Sequence, residues 1–124
     1  MLATGVDLVD IPRIERASNR FGQRFLNRVF TADEVRYSRG RPAELAARFA
    51  AKEAVAKALG VGMRILSPAG IGWKDVETLN ERSGKPYVTL HGRARELADA
   101  QGLTEWAISL SHDGGFAIAF VVAQ

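Results

Sequence analysis

The residues with the clearest chemical potential are a carboxylate and an amine four positions apart in an alanine-rich stretch. Residues 48–59 are rich in Ala and end at Gly60, which predicts a helix closed by glycine. Spaced i, i+4 and i+8, Phe49, Glu53 and Lys57 share one face of that helix. An ion pair on a solvated helix would explain Glu53 and Lys57 structurally. The alanines on the same face predict partial cover, under which a carboxylate needs a lysine partner, a metal ion or both.

A second carboxylate stands where a strand is predicted. Residues 2–11 alternate in a pattern that places Asp7 on the same strand face as Gly5 and Val9. Aspartate is disfavoured inside strands, and Gly5 would let another element approach closely. A surface position on an edge strand is the structural explanation, and a ligand for a hard cation is the functional one. Together Asp7 and Glu53 suit Mg²⁺, with water and phosphate oxygens filling its remaining positions.

A line of arginines follows this strand. Residues 13–28 are amphipathic and predict one helix that Pro12 opens at its first turn. On this helix, arginines recur at i, i+3, i+7 and i+11, and no acidic residue lies in register with them. Their charges repel one another, so this line of arginines fits an anionic surface. A solvated helix face is the structural alternative. The line consists of Arg13, Arg16, Arg20 and Arg24.

Length and composition set broad limits on the chain. At 124 residues it is expected to form one domain, residues 1–124, large enough to bury a core. The absence of cysteine excludes disulfide bonds and thiolate metal sites, which fits the cytoplasm. No apolar run approaches the ~20 residues that cross a membrane, and the N-terminus lacks a signal-peptide pattern. A net charge of +3 and a pI near 9.7 indicate an anionic partner, whether nucleic acid, acidic protein or phosphorylated cofactor.

The remaining segments predict an α+β fold. Thr31 followed by Glu34 is the pattern of a helix capping box, which gives both residues a structural role. Four further strands and one helix are predicted from alternation and turn residues. These are strands at 71–79, 86–90, 106–111 and 116–123, and a helix at 92–100. Together they predict a mainly antiparallel sheet packed around the long helix that carries Glu53.

Five segments of the chain resemble one enzyme family. They are similar to the holo-[acyl-carrier-protein] synthases, the small single-domain type of 4′-phosphopantetheinyl transferase, over nearly the whole chain. The early Gly-x-Asp, combined with the Lys-Glu and following Lys of the helix, is the specific part of this resemblance. The Gly-Lys-Pro and Ser-x-Ser-His pieces would be weak by themselves. The matching segments are residues 5–11, 30–34, 48–58, 83–86 and 109–112.

The resemblance implies a Mg²⁺-dependent transferase. Such an enzyme moves 4′-phosphopantetheine from coenzyme A to a serine of apo-acyl carrier protein, releases adenosine 3′,5′-bisphosphate, and supports fatty acid biosynthesis. It implies Mg²⁺ on Asp7 and Glu53, with Glu53 and Lys57 as catalytic residues and Lys57 neutralising phosphate charge. Glu53, a metal-bound water and His112 are alternative acceptors for the proton of the serine hydroxyl.

The resemblance also implies binding roles along the chain. Because acyl carrier proteins are small and acidic, the arginine line is expected to dock this partner. Members of the family form trimers with sites between subunits, so a cytoplasmic homotrimer is implied, with neither nucleic acid nor membrane as a partner. The residues expected to bind coenzyme A are Arg48, Lys57, Gly84, Lys85, Pro86 and His112.

A small basic binding protein is the alternative function. It would use the arginine line on RNA or on an acidic protein, without catalysis. The aromatic residues that could stack on bases are few and mostly at core spacing, which disfavours RNA binding.

Overall fold

The computed structural model describes residues 1–64 and 69–124. These begin with one strand, continue through four successive helices and a β-hairpin, and end with a helix and two further strands. The strands are β1 (Ala3–Asp10), β2 (Val76–Asn80), β3 (Pro86–Leu90), β4 (Trp106–Asp113) and β5 (Phe116–Ala123). The helices are α1 (Ile11–Phe21), α2 (Gln23–Val29), α3 (Ala32–Ser38), α4 (Pro42–Ala58) and α5 (Gly92–Ala100).

Two antiparallel sheets pack against α4. One has the strand order β1-β5-β4, and the other is the hairpin of β2 and β3. In the larger sheet, Asp7 lies opposite Ala119 and Val6 lies opposite Phe120. Helix α4 contacts β1, β5, β4 and β2. This arrangement confirms the predicted α+β fold, with mainly antiparallel sheet around a long central helix.

The central position of α4 follows from its composition. A helix that is apolar on all sides is buried, and the alanines of α4 allow neighbours to approach from several directions. Ala46, Ala50 and Ala54 have no exposed surface. In its last two turns, Glu53 is half-buried and Lys57 is exposed. The helix therefore presents a carboxylate and an amine where it emerges from the core.

Strand β1 approaches the backbone of α4 at a glycine. A Cβ added to Gly5 would lie 1.9 Å from the carbonyl oxygen of Ala54. No real Cβ tolerates such a contact, so the strand and the helix can be this close only because residue 5 is glycine. The close approach brings Asp7, on the same strand face, to the last turns of α4.

Gly5→Ala should therefore lower the free energy of unfolding by at least about 2–3 kcal/mol, because a rigid helix backbone cannot yield to the added methyl group. Urea denaturation measures the loss. Gly62→Ala is the matched control, since a Cβ there meets nothing within 4 Å. Equal stability of the two variants would contradict the close packing of β1 on α4.

Two predicted elements differ from the structure. The predicted helix over residues 13–28 is two helices, because Gly22 adopts φ 56° and ψ −135° between α1 and α2. The predicted strand over residues 71–79 begins only at Val76, after a 3₁₀ turn at Trp73–Asp75. In that turn the carboxylate of Asp75 accepts a hydrogen bond from the Gly72 N–H, at 3.0 Å. A side-chain bond of this kind competes with strand pairing.

A buried ion pair ties α3, α4 and β2 together. The predicted capping box is confirmed: Thr31 caps α3, and the Glu34 side chain accepts from the Thr31 N–H. Glu34 is also buried against Lys52, whose Nζ lies 2.7 Å from Glu34 Oε1. The other Glu34 oxygen accepts from the Thr78 N–H of β2, at 2.9 Å. Burial lowers the pKa of Lys52, and the neighbouring Glu34 charge opposes that shift.

Within residues 1–64 and 69–124, no helix has the length and apolar character needed to cross a membrane.

Candidate active site

The structure brings together three of the predicted site residues, from β1 and the end of α4. Lys57 Nζ lies 3.0 Å from Asp7 Oδ1 and 3.0 Å from the Val6 carbonyl oxygen. The Asp7 side chain is 16% exposed and that of Lys57 is 54% exposed. Glu53 lies one helical turn before Lys57, within the electrostatic influence of Asp7. Asp7, Glu53 and Lys57 form a cluster that opens to solvent on the lysine side.

The environment of Glu53 raises the pKa of its carboxyl above the usual range. Burial is the largest cause, and the negative charge of Asp7 adds to it. Lys57 and Arg13 act in the opposite direction. The positive charges of Lys57 and Arg13 therefore offset only part of the burial and repulsion that act on Glu53, so an added cation at the two carboxylates would be favourable.

The donor set at this site fits Mg²⁺. Asp7 and Glu53 offer hard oxygen ligands only, and Mg²⁺ typically binds one or two carboxylates while keeping water and substrate phosphates. In the described ranges 1–64 and 69–124, no group of three or more His, Cys, Asp or Glu side chains could hold a metal ion by itself. Two carboxylates leave coordination positions that water and phosphate oxygens can fill, so the cluster is suited to a cation shared between protein and phosphate.

An apolar groove of about 300 Å³ adjoins Phe49, one turn before Glu53. The Phe49 ring packs against Trp73 with centroids 4.8 Å apart, and the Arg13 guanidinium carbon lies 6.0 Å from the Phe49 centroid. The groove is lined by Arg13, Ile14, Ala17, Phe25, Arg28, Val29, Phe49 and Trp73. The groove lining thus combines apolar side chains with the two arginines Arg13 and Arg28.

The four arginines of the predicted line are all exposed, but they do not lie on one helix. Arg13, Arg16 and Arg20 belong to α1, whereas Arg24 belongs to α2 beyond the bend at Gly22. Arg16 lies 3.9 Å from Asp10 across an exposed pair, which leaves most of the positive charge uncompensated.

Arg48 occupies a different environment from the predicted one. Its side chain has no exposed surface and lies over the Tyr37 ring, 4.4 Å from the centroid. Its Nε donates to the Thr78 carbonyl oxygen at 3.1 Å, and its Nη2 donates to Asn80 Oδ1. Its Nη1 lies 3.3 Å from the Glu44 carbonyl oxygen. All three nitrogens thus have protein acceptors, so the geometry disfavours direct binding of a coenzyme A phosphate by Arg48 and favours a structural role.

The other predicted coenzyme residues lie apart from the carboxylates in sequence and on separate elements. Gly84 and Lys85 are exposed in the turn between β2 and β3, and Pro86 begins β3. His112 is exposed near the end of β4, opposite Ala117. Alternation along the strands places His112 on the same sheet face as Asp7, two strands away. Their role toward a ligand stays a prediction.

Sequence reasoning missed the buried polar residues that support these elements. Lys52 and Arg48 are charged residues that residue type alone would place at the surface, yet both are fully buried. Asn80 is the last residue before the exposed turn, and its side chain bridges Arg48 and the Gly84 carbonyl oxygen. One signal was available: Arg48 and Lys52 are spaced i, i+4 within residues 45–52, where every other side chain is apolar.

Comparisons with known proteins agree on one family. The family model described as the 4′-phosphopantetheinyl transferase superfamily matches residues 3–121. The holo-[acyl-carrier-protein] synthase of Herpetosiphon aurantiacus is 52% identical, covering 100% of this chain and 99% of that protein. That of Dehalococcoides mccartyi strain CBDB1 is 47% identical, with 100% and 99% covered. The crystal structure of Helicobacter pylori holo-[acyl-carrier-protein] synthase in complex with coenzyme A superposes with a TM-score of 0.85 at 34% identity, covering 98% of this chain and 99% of that one.

Proposed function

This chain belongs to the 4′-phosphopantetheinyl transferase superfamily, and from that premise we propose how its residues carry out the reaction. The enzyme transfers 4′-phosphopantetheine from coenzyme A to a serine of apo-acyl carrier protein. The serine O–H bond breaks and its proton passes to a base, for which Glu53, His112 and a bound water are the alternatives. A bond forms between the serine oxygen and phosphorus, the pyrophosphate bond breaks, and adenosine 3′,5′-bisphosphate leaves. The observation that carries the site assignment is the cluster of Asp7, Glu53 and Lys57, which joins two carboxylates to one exposed amine.

The roles proposed for Asp7, Glu53 and Lys57 follow from the exposure and charge of their side chains. Asp7 and Glu53 hold Mg²⁺, which when bound neutralises the charge of the pyrophosphate. Lys57 is half-exposed and its pair with Asp7 is weak, so its amine could turn to a phosphate oxygen at little cost. Stabilising the charge that develops on phosphate oxygens is the main task of a protein in such a transfer. Glu53 and Lys57 are thus the proposed catalytic residues.

The proposed coenzyme site extends beyond this cluster. The apolar groove at Phe49 and Trp73 accommodates the pantetheine arm, since it adjoins the turn of α4 that carries Glu53. Gly84, Lys85 and Pro86 contribute exposed backbone and one amine for the nucleotide, and His112 lies on the sheet face that carries Asp7.

Mass spectrometry tests the function directly. Apo-acyl carrier protein incubated with the enzyme, coenzyme A and Mg²⁺ should gain the mass of one phosphopantetheine group. In a control without the enzyme, the mass of the carrier protein should stay unchanged. An enzyme that binds the carrier protein but adds no mass would point instead to the non-catalytic binding function.

The acyl carrier protein is proposed to dock on the exposed arginines of α1 and α2. Charge reversal in Arg16→Glu/Arg20→Glu should weaken carrier-protein binding about tenfold, because each exposed charge pair contributes about 0–1 kcal/mol. The salt dependence of binding should flatten, while coenzyme A affinity should stay unchanged. Arg13 is left intact because its charge acts on Glu53.

Binding isotherms at several salt concentrations measure both effects. Arg36→Glu/Arg95→Glu is the matched control, since these exposed arginines lie on α3 and α5. Equal weakening in the control would mean that net charge matters and that no docking surface lies on α1. Equal damage to coenzyme A binding would place α1 in the coenzyme site.

A homotrimer is the proposed assembly. The outward face of the larger sheet leaves large apolar side chains exposed, which monomeric proteins rarely do over a contiguous patch. These are Val6, Leu8, Phe116, Ile118 and Phe120, which the strand register places side by side. Sedimentation equilibrium distinguishes three copies from one.

The same proposal covers the cellular setting. We take residues 1–124 as one transferase domain that acts in the cytoplasm, where its product would serve fatty acid biosynthesis. Loss of holo-acyl carrier protein on depletion of the enzyme in cells would test that role.

A further inference from the structure

A chain of hydrogen bonds runs from the core of α4 to the exposed turn between β2 and β3. Arg48 Nη2 donates to Asn80 Oδ1, and Asn80 Nδ2 donates to the Gly84 carbonyl oxygen at 2.7 Å. A guanidinium has only donors, so its contact fixes the orientation of the Asn80 amide. The oxygen must face Arg48, and the nitrogen must therefore face Gly84.

The turn itself has little else that ties it to the domain. Residues 81–85 are all exposed. Within the turn, Gly84 N–H donates to the Glu81 carbonyl oxygen at 2.8 Å, and Glu81 N–H donates to the Lys85 carbonyl oxygen at 2.8 Å. These bonds close the turn locally but do not orient it toward α4. Among the described residues, Asn80 provides the side-chain hydrogen bond from the hairpin strands into the turn.

The series of hydrogen bonds is rigid at its inner end, where Arg48 lies. Arg48 has no exposed surface, and its three guanidinium nitrogens bond to Thr78, Asn80 and Glu44. Buried hydrogen bonds to a charged group are shorter and about twice as strong as neutral ones. The position of the Asn80 amide is thus set by the core.

We propose that Arg48 is a positioning residue that acts through Asn80 to fix the turn carrying Gly84 and Lys85 for coenzyme A. This inference rests on the proposed function in one respect, namely that the turn binds coenzyme A. Arg48 contributes to coenzyme affinity without touching the coenzyme. A ligand that meets a turn already held in place loses less conformational entropy on binding.

Two substitutions at Asn80 distinguish the Arg48–Asn80 hydrogen bond from the Asn80–Gly84 hydrogen bond. Asn80→Asp keeps an acceptor for Arg48 but places an oxygen against the Gly84 carbonyl, so the link to the turn is lost. Asn80→Ala loses both hydrogen bonds and leaves a buried Arg48 nitrogen unpaired. Amide hydrogen exchange of Gly84 and Lys85 should quicken about three- to tenfold in both variants, whereas the melting temperature should fall only in Asn80→Ala. Arg48→Lys should also quicken exchange, since lysine cannot reproduce the planar set of donors.

Calorimetric titration with coenzyme A provides the functional readout. The affinity should fall about three- to tenfold in both Asn80 variants, as expected for one lost hydrogen bond. A fall in Asn80→Asp alone would be charge repulsion and would overturn the proposal. Unchanged exchange in the turn would overturn it as well, as would quicker exchange with unchanged affinity. Failure of the wild-type protein to bind coenzyme A would instead contradict the proposed function, while exchange would still report whether Arg48 fixes the turn.

Discussion

Asp7→Asn and Glu53→Gln should each lower the turnover of phosphopantetheine transfer by about a hundredfold or more. That factor corresponds to about 3 kcal/mol of lost transition-state stabilisation. Each change removes one of two carboxylates proposed to hold Mg²⁺, and the amide that replaces it is a poor ligand for a hard cation. Turnover measured over a Mg²⁺ titration gives the result. Glu96→Gln, an exposed carboxylate of α5, is the control.

The same variants should keep their fold, and Glu53→Gln should make the metal-free protein more stable. Burial and the Asp7 charge raise the pKa of Glu53 in the folded state, so folding favours its protonated form. The resulting stability is present below the ordinary pKa of a glutamate and is lost as the pH rises through the raised value. Melting curves across that acidic range should show this pH dependence in the wild type and lose it in Glu53→Gln. Near-normal turnover of both variants at limiting Mg²⁺ would refute the metal assignment.

Lys52→Met should destabilise the protein by about 3–5 kcal/mol, which is the typical cost of removing one partner of a buried ion pair. Glu34 has no exposed surface and would lose the lysine that lies 2.7 Å away. The Val76 carbonyl oxygen, which also accepts from Lys52 Nζ, would lose a donor. Against a total stability of about 5–15 kcal/mol, such a loss is large.

Urea denaturation measures this loss of stability, and two further variants serve as a control and as a test of its cause. Lys57→Met removes a lysine of the same helix that is 54% exposed, and its pair with Asp7 should contribute at most about 1 kcal/mol. Adding Glu34→Gln to Lys52→Met should recover part of the loss, because the uncompensated charge is removed while an acceptor for Thr78 N–H remains. A Lys52→Met protein as stable as the Lys57→Met control would show that the buried pair is not needed.

Local patterns in the sequence were sufficient for most elements. The alanine-rich run ending in glycine predicted α4, the Thr31–Glu34 capping box predicted the start of α3, and the apolar final segment predicted β5. These features depend on spacing within a few residues, which the sequence shows directly. The helix break at Gly22 was missed because an amphipathic pattern continues across it, while the backbone there leaves the helical region. The 3₁₀ turn before β2 was missed because its cause is a side-chain bond from Asp75.

For the site, the sequence determined which residues were chemically unusual. Asp7 in a strand and Glu53 on a partly covered helix face were identified by residue type and period alone, and the structure places both at one cluster. The tertiary structure decided the partners. Lys57 bonds to Asp7, 50 positions away, and Glu34 bonds to Lys52, 18 positions away. Contacts across such separations arise from packing, which no local spacing encodes.

The tertiary structure also decided which faces are covered. Strand β1 has apolar Val6 and Leu8 on one face and Asp7 with Gly5 on the other, and alternation alone would bury the apolar face. The structure buries the Gly5 face instead, because only there can α4 approach the strand backbone. Arg48 and Lys52 are charged and would be expected at the surface, yet both lie in the core because each finds hydrogen-bond acceptors there. Arg48 donates to Thr78 and Asn80 of β2. Lys52 donates to Glu34 and to the Val76 carbonyl oxygen of β2. Residue type therefore determined the available chemistry, and only the packing of distant elements decided whether each charge faced solvent, a ligand or a buried partner.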